Sequence, residues 1–147
     1  GELSMRKRIL LLLMILVLSI GLIGCGGEED YSNMTVEEIL EKSGKIKNFS
    51  EAEGHYNITL QREMVSDKTK YELTMETGEI LQRLKDRDIK TINITWEIEL
   101  VDQDGNSEYK PVMRLTFEDN SWEDAEHHTD LPNLAADYWE HEILKQE

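Results

Sequence analysis

The sequence predicts a small single α+β domain: an antiparallel sheet of about four strands covered on one face by helices. Three observations predict it. Residues 56–64 and 92–100 alternate apolar and polar side chains, as strands with one buried and one wet face do. Other stretches repeat apolar residues at helical spacing. The two kinds are interspersed in the order α-ββ-α-ββ-α, which belongs to the α+β class.

The elements follow in order. Thr35-Val36-Glu37-Glu38 is a capping-box pattern, with Thr35 as N-cap and Glu38 three residues on. Val36, Ile39, Leu40 and Ile46 continue it, predicting a helix over 36–48 that Gly44 weakens. Tyr56, Ile58, Leu60 and Met64 define one strand face, and Tyr71, Leu73 and Met75 a second, with 65–69 as the hairpin between them. Ile80, Leu81 and Leu84 share a stripe that predicts a short helix over 78–87. Ile92, Ile94, Trp96, Ile98 and Leu100 give the strongest strand pattern and place Trp96 in the core. Asp104-Gly105 turns the chain into a returning strand through Met113, Leu115 and Phe117. Ser121-Trp122-Glu123-Asp124 predicts a turn of helix. Leu131, Leu134, Ala135, Tyr138, Trp139 and Ile143 predict a C-terminal helix entered at Pro132.

Charge and the N-terminal segment bound the class. The 147 residues hold 16 Lys and Arg against 31 Asp and Glu, a net charge of −15. Without residues 1–24 the balance is 13 against 30, a net −17. That acidity argues against a nucleic-acid partner, which needs a basic footprint. It also repels anionic headgroups, so a covalent anchor would have to hold the domain at a membrane.

Met5-Arg6-Lys7-Arg8 is a basic start, and Ile9–Ile20 is almost unbroken Leu, Ile, Val and Met. Small residues follow, in Gly21-Leu22-Ile23-Gly24-Cys25. A basic n-region, a short apolar h-region and small residues at its end make a secretory signal. The apolar run falls short of the roughly 20 residues a spanning helix needs. Leu22-Ile23-Gly24-Cys25 resembles the lipobox of bacterial lipoproteins, and the resemblance covers residues 5–25. It implies that a diacylglyceryl group is added to the Cys25 thiol, that a signal peptidase cuts between Gly24 and Cys25, and that acyl chains such as palmitate anchor the product. The expected organisation is a non-native or mis-started prefix at 1–4, a signal peptide at 5–24, a lipidated flexible tether at 25–32 and one acidic domain at 33–147. The expected location is the cell membrane, lipid-anchored, with the domain on the extracytoplasmic side. The seven tether residues after Cys25 reach at most about 25 Å.

Chemistry-bearing constellations are sparse. Asp102-Gln103-Asp104-Gly105-Asn106 offers several oxygens, but aligning Gly105 with position 6 of a calcium loop puts Leu100 and Pro111 where carboxylates are required. Asp102 and Asp104 therefore stand only as weak metal candidates. His127-His128, near Asp124, Glu126 and Asp130, is the one local cluster of metal-capable side chains, but adjacent histidines diverge on a helix or a strand. They too are weak candidates, and no cofactor is implied. Cys25 is committed to lipid, and no Gly-x-Ser-x-Gly elbow is present. Trp122, Tyr138 and Trp139 are candidates for a partner or ligand surface, since Trp and Tyr are favoured at interaction hot spots.

The expected function is a non-catalytic surface binding or accessory module. Its partners would be the membrane, through lipidated Cys25, and another envelope or surface protein. The alternatives are a carrier of a lipid or small apolar ligand, and a small hydrolase built from dispersed acids with His127 or His128. A large apolar cavity would mark the carrier. A filled core would favour the binding module.

Overall fold

The first helix begins where the Thr35–Glu38 pattern places it. In the computed structural model, which describes residues 31–43, 45–63 and 67–145, Glu38 N donates to Thr35 Oγ1 (3.1 Å) and Thr35 N donates to Glu38 Oε2 (3.4 Å). The first of these bonds satisfies an amide that helix geometry leaves open, and the second closes the box on the N-cap. This helix, α1 (Val36–Ser43), buries Val36, Ile39 and Leu40. It is shorter than the predicted 36–48, because the chain then enters strand β1 (Lys45–Ala52), antiparallel to β2 (His55–Arg62). Glu53 (φ +54°) and Gly54 (φ +85°) make the turn between them, the paired left-handed residues that a two-residue hairpin favours.

The predicted strand over 71–75 is corrected to helix. Helix α2 (Thr69–Arg83) spans it and most of the helix predicted at 78–87. Threonines explain the difference. Leu73, Thr77, Ile80, Leu81 and Leu84 form one buried helical stripe, but Thr77 scores as polar. Its hydroxyl donates to the Leu73 carbonyl (2.7 Å), as Thr74 Oγ1 does to the Lys70 carbonyl (2.8 Å). Such back-bonding lets threonine enter a buried helix face without an unsatisfied group. Part of the predicted 65–69 hairpin lies outside the described residues.

Strands β3 (Thr91–Val101) and β4 (Ser107–Glu118) form the expected hairpin. The predicted C-terminal helix is corrected to three short pieces. These are α3 (Leu131–Leu134), strand β5 (Asp137–Glu140) and a 3₁₀ turn at Glu142–Leu144. β5 pairs with the outer edge of β4, and Ala136 N→Thr116 O (2.8 Å) and His141 N→Val112 O (2.7 Å) flank the ladder. An uncovered strand edge offers backbone partners to such a segment, and local helical spacing does not register them.

The result is an α+β domain whose sheet has five strands in the order β1-β2-β3-β4-β5. The expectation of about four strands, all antiparallel, is corrected on both counts. β2 and β3 run parallel, joined through α2. From Asn33 onward the chain forms one compact unit.

Ile58, Leu60, Ile94, Ile98, Met113 and Phe117 are fully buried on the apolar sheet face. Across it lies α2, tied at three places. Arg62 of β2 pairs with Glu72 (3.1 Å) and Glu76 (2.7 Å). Trp96 Nε1 of β3 donates to Thr77 Oγ1 (2.8 Å), and Lys70 pairs with Glu140 of β5 (2.9 Å). The opposite sheet face is polar. Asn57, Asn93 and Thr116 bond in a row across three strands (3.3 and 3.2 Å). Glu97, nearly buried, accepts from Lys47 Nζ (2.9 Å) and Gln61 Nε2 (3.1 Å). Among the described residues no helix is long and apolar enough to cross a membrane.

Candidate functional site

After β4 the chain doubles back over α2. Asp119 (φ +49°) and Asn120 (φ +57°) take left-handed conformations at the bend. A 3₁₀ turn, Ser121–Asp124, then drives Trp122 under the surface, edge-on to Phe117 with ring centroids 6.1 Å apart. The next turn, His128–Asp130, is fixed by its own carboxylate: Asp130 Oδ2 accepts from His127 N (3.1 Å) and Glu126 N (3.2 Å). Residues 121–131 thus form a braced strap beside the helix.

The strap meets α2 at Gly78. A β-carbon there would stand 3.1 Å from His128 Cβ, closer than ordinary contact. Glycine within a helix costs about 1 kcal/mol against alanine, and the close approach of the strap is the physical reason for it here. On the same side His128 packs edge-on against Tyr71, ring centroids 4.8 Å apart.

Between α2 and the strap lies a cleft of about 280 Å³. Its apolar part is Met75, Leu81, Ala125, Leu131 and Trp122, and its charged part is Glu79, Glu123 and Glu126 with Lys85. His127 and His128 line it as well. Two nitrogens stand out. The indole Nε1 of Trp122 and Nε2 of His128 are both buried, and neither has a hydrogen-bond partner among the described residues. Over nine in ten buried polar groups in folded proteins are bonded. An unmet one costs about 1–3 kcal/mol. The other tryptophan at the helix face, Trp96, has its Nε1 satisfied by Thr77, so the contrast belongs to the strap.

The residues predicted from sequence land in different places. Trp122, His127 and His128 come together in the cleft. Tyr138 and Trp139, adjacent in β5, point to opposite sheet faces. Tyr138 Oη donates to Glu140 Oε2 (3.4 Å), and burial with the nearby Glu140 charge pushes its hydroxyl up to about 12. Trp139, 39% exposed, lies under the Arg114 guanidinium on the polar face (5.7 Å to the ring centroid). Asp102 serves the β3–β4 turn, where its Oδ1 accepts from Asp104 N and Asn106 N (both 2.9 Å). Among the described residues, no three His, Cys, Asp or Glu side chains are placed to hold a metal ion. Gly24 and Cys25 lie outside the described residues. The contribution of Gly78, Glu79 and Lys85 is not marked in the sequence, save by a glycine inside a helical stripe.

No family model, no curated protein and no solved structure matches the chain.

Proposed function

We propose that the chain is a bacterial lipoprotein, anchored at the extracytoplasmic face of the cell membrane through acylated Cys25, whose domain acts as a non-catalytic binding module. The observation that carries the binding reading is the cleft between α2 and the 121–131 strap, whose lining residues Trp122 and His128 each hold a buried nitrogen with no partner among the described residues. The basic n-region, apolar run and Leu22-Ile23-Gly24-Cys25 box support the anchor. A carrier reading would be favoured by an enclosed apolar cavity between helix and sheet. The cleft is instead an open, half-polar feature beside the helix, and Trp96 is buried with its neighbours in the helix–sheet layer.

The anchor is tested by Cys25→Ala in cells labelled with a fatty acid. The variant should lose the label and leave the membrane fraction; retention of both would overturn the lipoprotein reading. The binding reading is tested on the same cells by asking whether the cleft is covered in the membrane. Surface footprinting of Met75 and His127 should fall there relative to the purified chain, and equal labelling would oppose it.

A further inference from the structure

Deepening the binding reading on which it rests, we propose that the cleft recognises a primary ammonium group next to a carbonyl, carried on a residue with an apolar side chain. Two sources share that chemistry: the amino end of a peptide and a free apolar amino acid.

Each part of the occupant answers a group in the cleft. The indole N–H of Trp122 is donor-only, so it calls for an acceptor such as a carbonyl oxygen. The unpaired Nε2 of His128 takes a donor or an acceptor according to its tautomer, so it fits either group of such an occupant. An ammonium supplies three donors and no acceptor. It can therefore serve the carboxylates of the rim but not the Trp122 N–H, which calls for the carbonyl beside it. The charge balance selects the cation, since Glu79, Glu123 and Glu126 outnumber Lys85 around the rim. Met75, Leu81 and Leu131 provide the apolar wall for a side chain.

Size agrees. With the strap in place the cleft holds about 280 Å³, just under the range of about 300–1,000 Å³ typical of small-molecule pockets, and an outward shift of the strap widens it into that range. Both nitrogens are shielded from water as the strap now sits, so binding requires the strap to shift outward from α2.

The test uses the three tryptophans of the chain as internal controls. The full chain, in detergent and with ¹⁵N-labelled indoles, gives one N–H signal each for Trp96, Trp122 and Trp139, assigned by Trp122→Phe and Trp139→Phe. Leucinamide is titrated first, then leucine, then N-acetyl-leucinamide. Leucinamide should move the Trp122 signal and leave Trp96 and Trp139 in place. Acetylation, which removes the ammonium, should weaken binding at least tenfold. Leucine matching leucinamide assigns a free amino acid as the source, and leucinamide binding much more tightly assigns a peptide end. Trp122→Phe should weaken leucinamide binding by about threefold to tenfold, the worth of one hydrogen bond, read by isothermal titration calorimetry. Equal binding of the acetylated compound would overturn the proposal. So would an unmoved Trp122 signal up to about 10 mM ligand, a concentration at which even millimolar affinity saturates. In that last case, reduced footprinting of the cleft in membranes would still stand, so the ligand class would fall without the binding module.

Discussion

Replacing Thr77 with valine isolates one of the three ties between α2 and the sheet. Valine keeps the shape of threonine and removes only the hydroxyl, which donates to Leu73 O (2.7 Å) and accepts from Trp96 Nε1 (2.8 Å). Thr77 is fully buried and Trp96 is 4% exposed, so water cannot replace the lost partner. The lost hydrogen bond is worth about 1 kcal/mol net, and the indole N–H left buried alone costs a further ~1–3 kcal/mol. The expected loss is therefore about 2–4 kcal/mol. With a urea slope of about 2 kcal/mol per molar for a small domain, the midpoint should fall by about 1–2 M with the slope unchanged. In a Trp96→Phe background the ring has no N–H to strand, so the same substitution should cost less than about 1 kcal/mol. A double-mutant cycle followed by urea unfolding reads the difference directly. A loss below about 0.5 kcal/mol in the wild-type background, or equal losses in both, would refute the reasoning.

Three further outcomes follow from the same structure. Lys47→Met should destabilise by about 1 kcal/mol by urea unfolding. It strips one partner from the nearly buried Glu97 while Gln61 remains, and Lys47 is itself 43% exposed, so the loss stays below the ~3–5 kcal/mol of a fully buried broken pair. The Tyr138 hydroxyl, raised from 10.0 to about 12 by burial and Glu140, holds its proton more tightly folded than unfolded. That stability is present below pH 10 and lost as pH rises from about 10 to 12; Tyr138→Phe should flatten this decline in urea midpoints across the range. Gly105→Ala should cost about 1–2 kcal/mol through backbone strain alone, because φ is +82° there and the open space around it offers no clash; an unchanged melting temperature would contradict that.

Sequence made legible those elements whose signals are local. The Thr35–Glu38 box reports on neighbours three residues apart, and the Asp-Gly turn between the alternating runs Ile92–Leu100 and Met113–Phe117 defines β3 and β4. Three elements are set by distant partners instead. α2 hides behind Thr77, whose buried face depends on Trp96, 19 residues away. β1 begins with Lys-Ile-Lys-Asn and holds a bulge between Ile46 and Asn48, so its alternation is broken. β5 carries helix-like spacing, and only the free edge of β4 makes it a strand. The cleft behaves likewise. Trp122, His127 and His128 are recognisable as unusual, but their meeting with Glu79 and Lys85 depends on the strap crossing at Gly78.

If the domain is the membrane-anchored binding module proposed, the α2–strap cleft is its working surface. Hydroxyl-radical footprinting of the full chain, in membranes of the producing cell and again after purification in detergent, tests it most directly. The account predicts that Met75 and His127 are labelled less in membranes than after purification, while Trp139 on the polar sheet face is labelled equally in both. Protection of Trp139 with Met75 and His127 fully labelled in both states would contradict it and move the contact surface to the opposite side of the sheet.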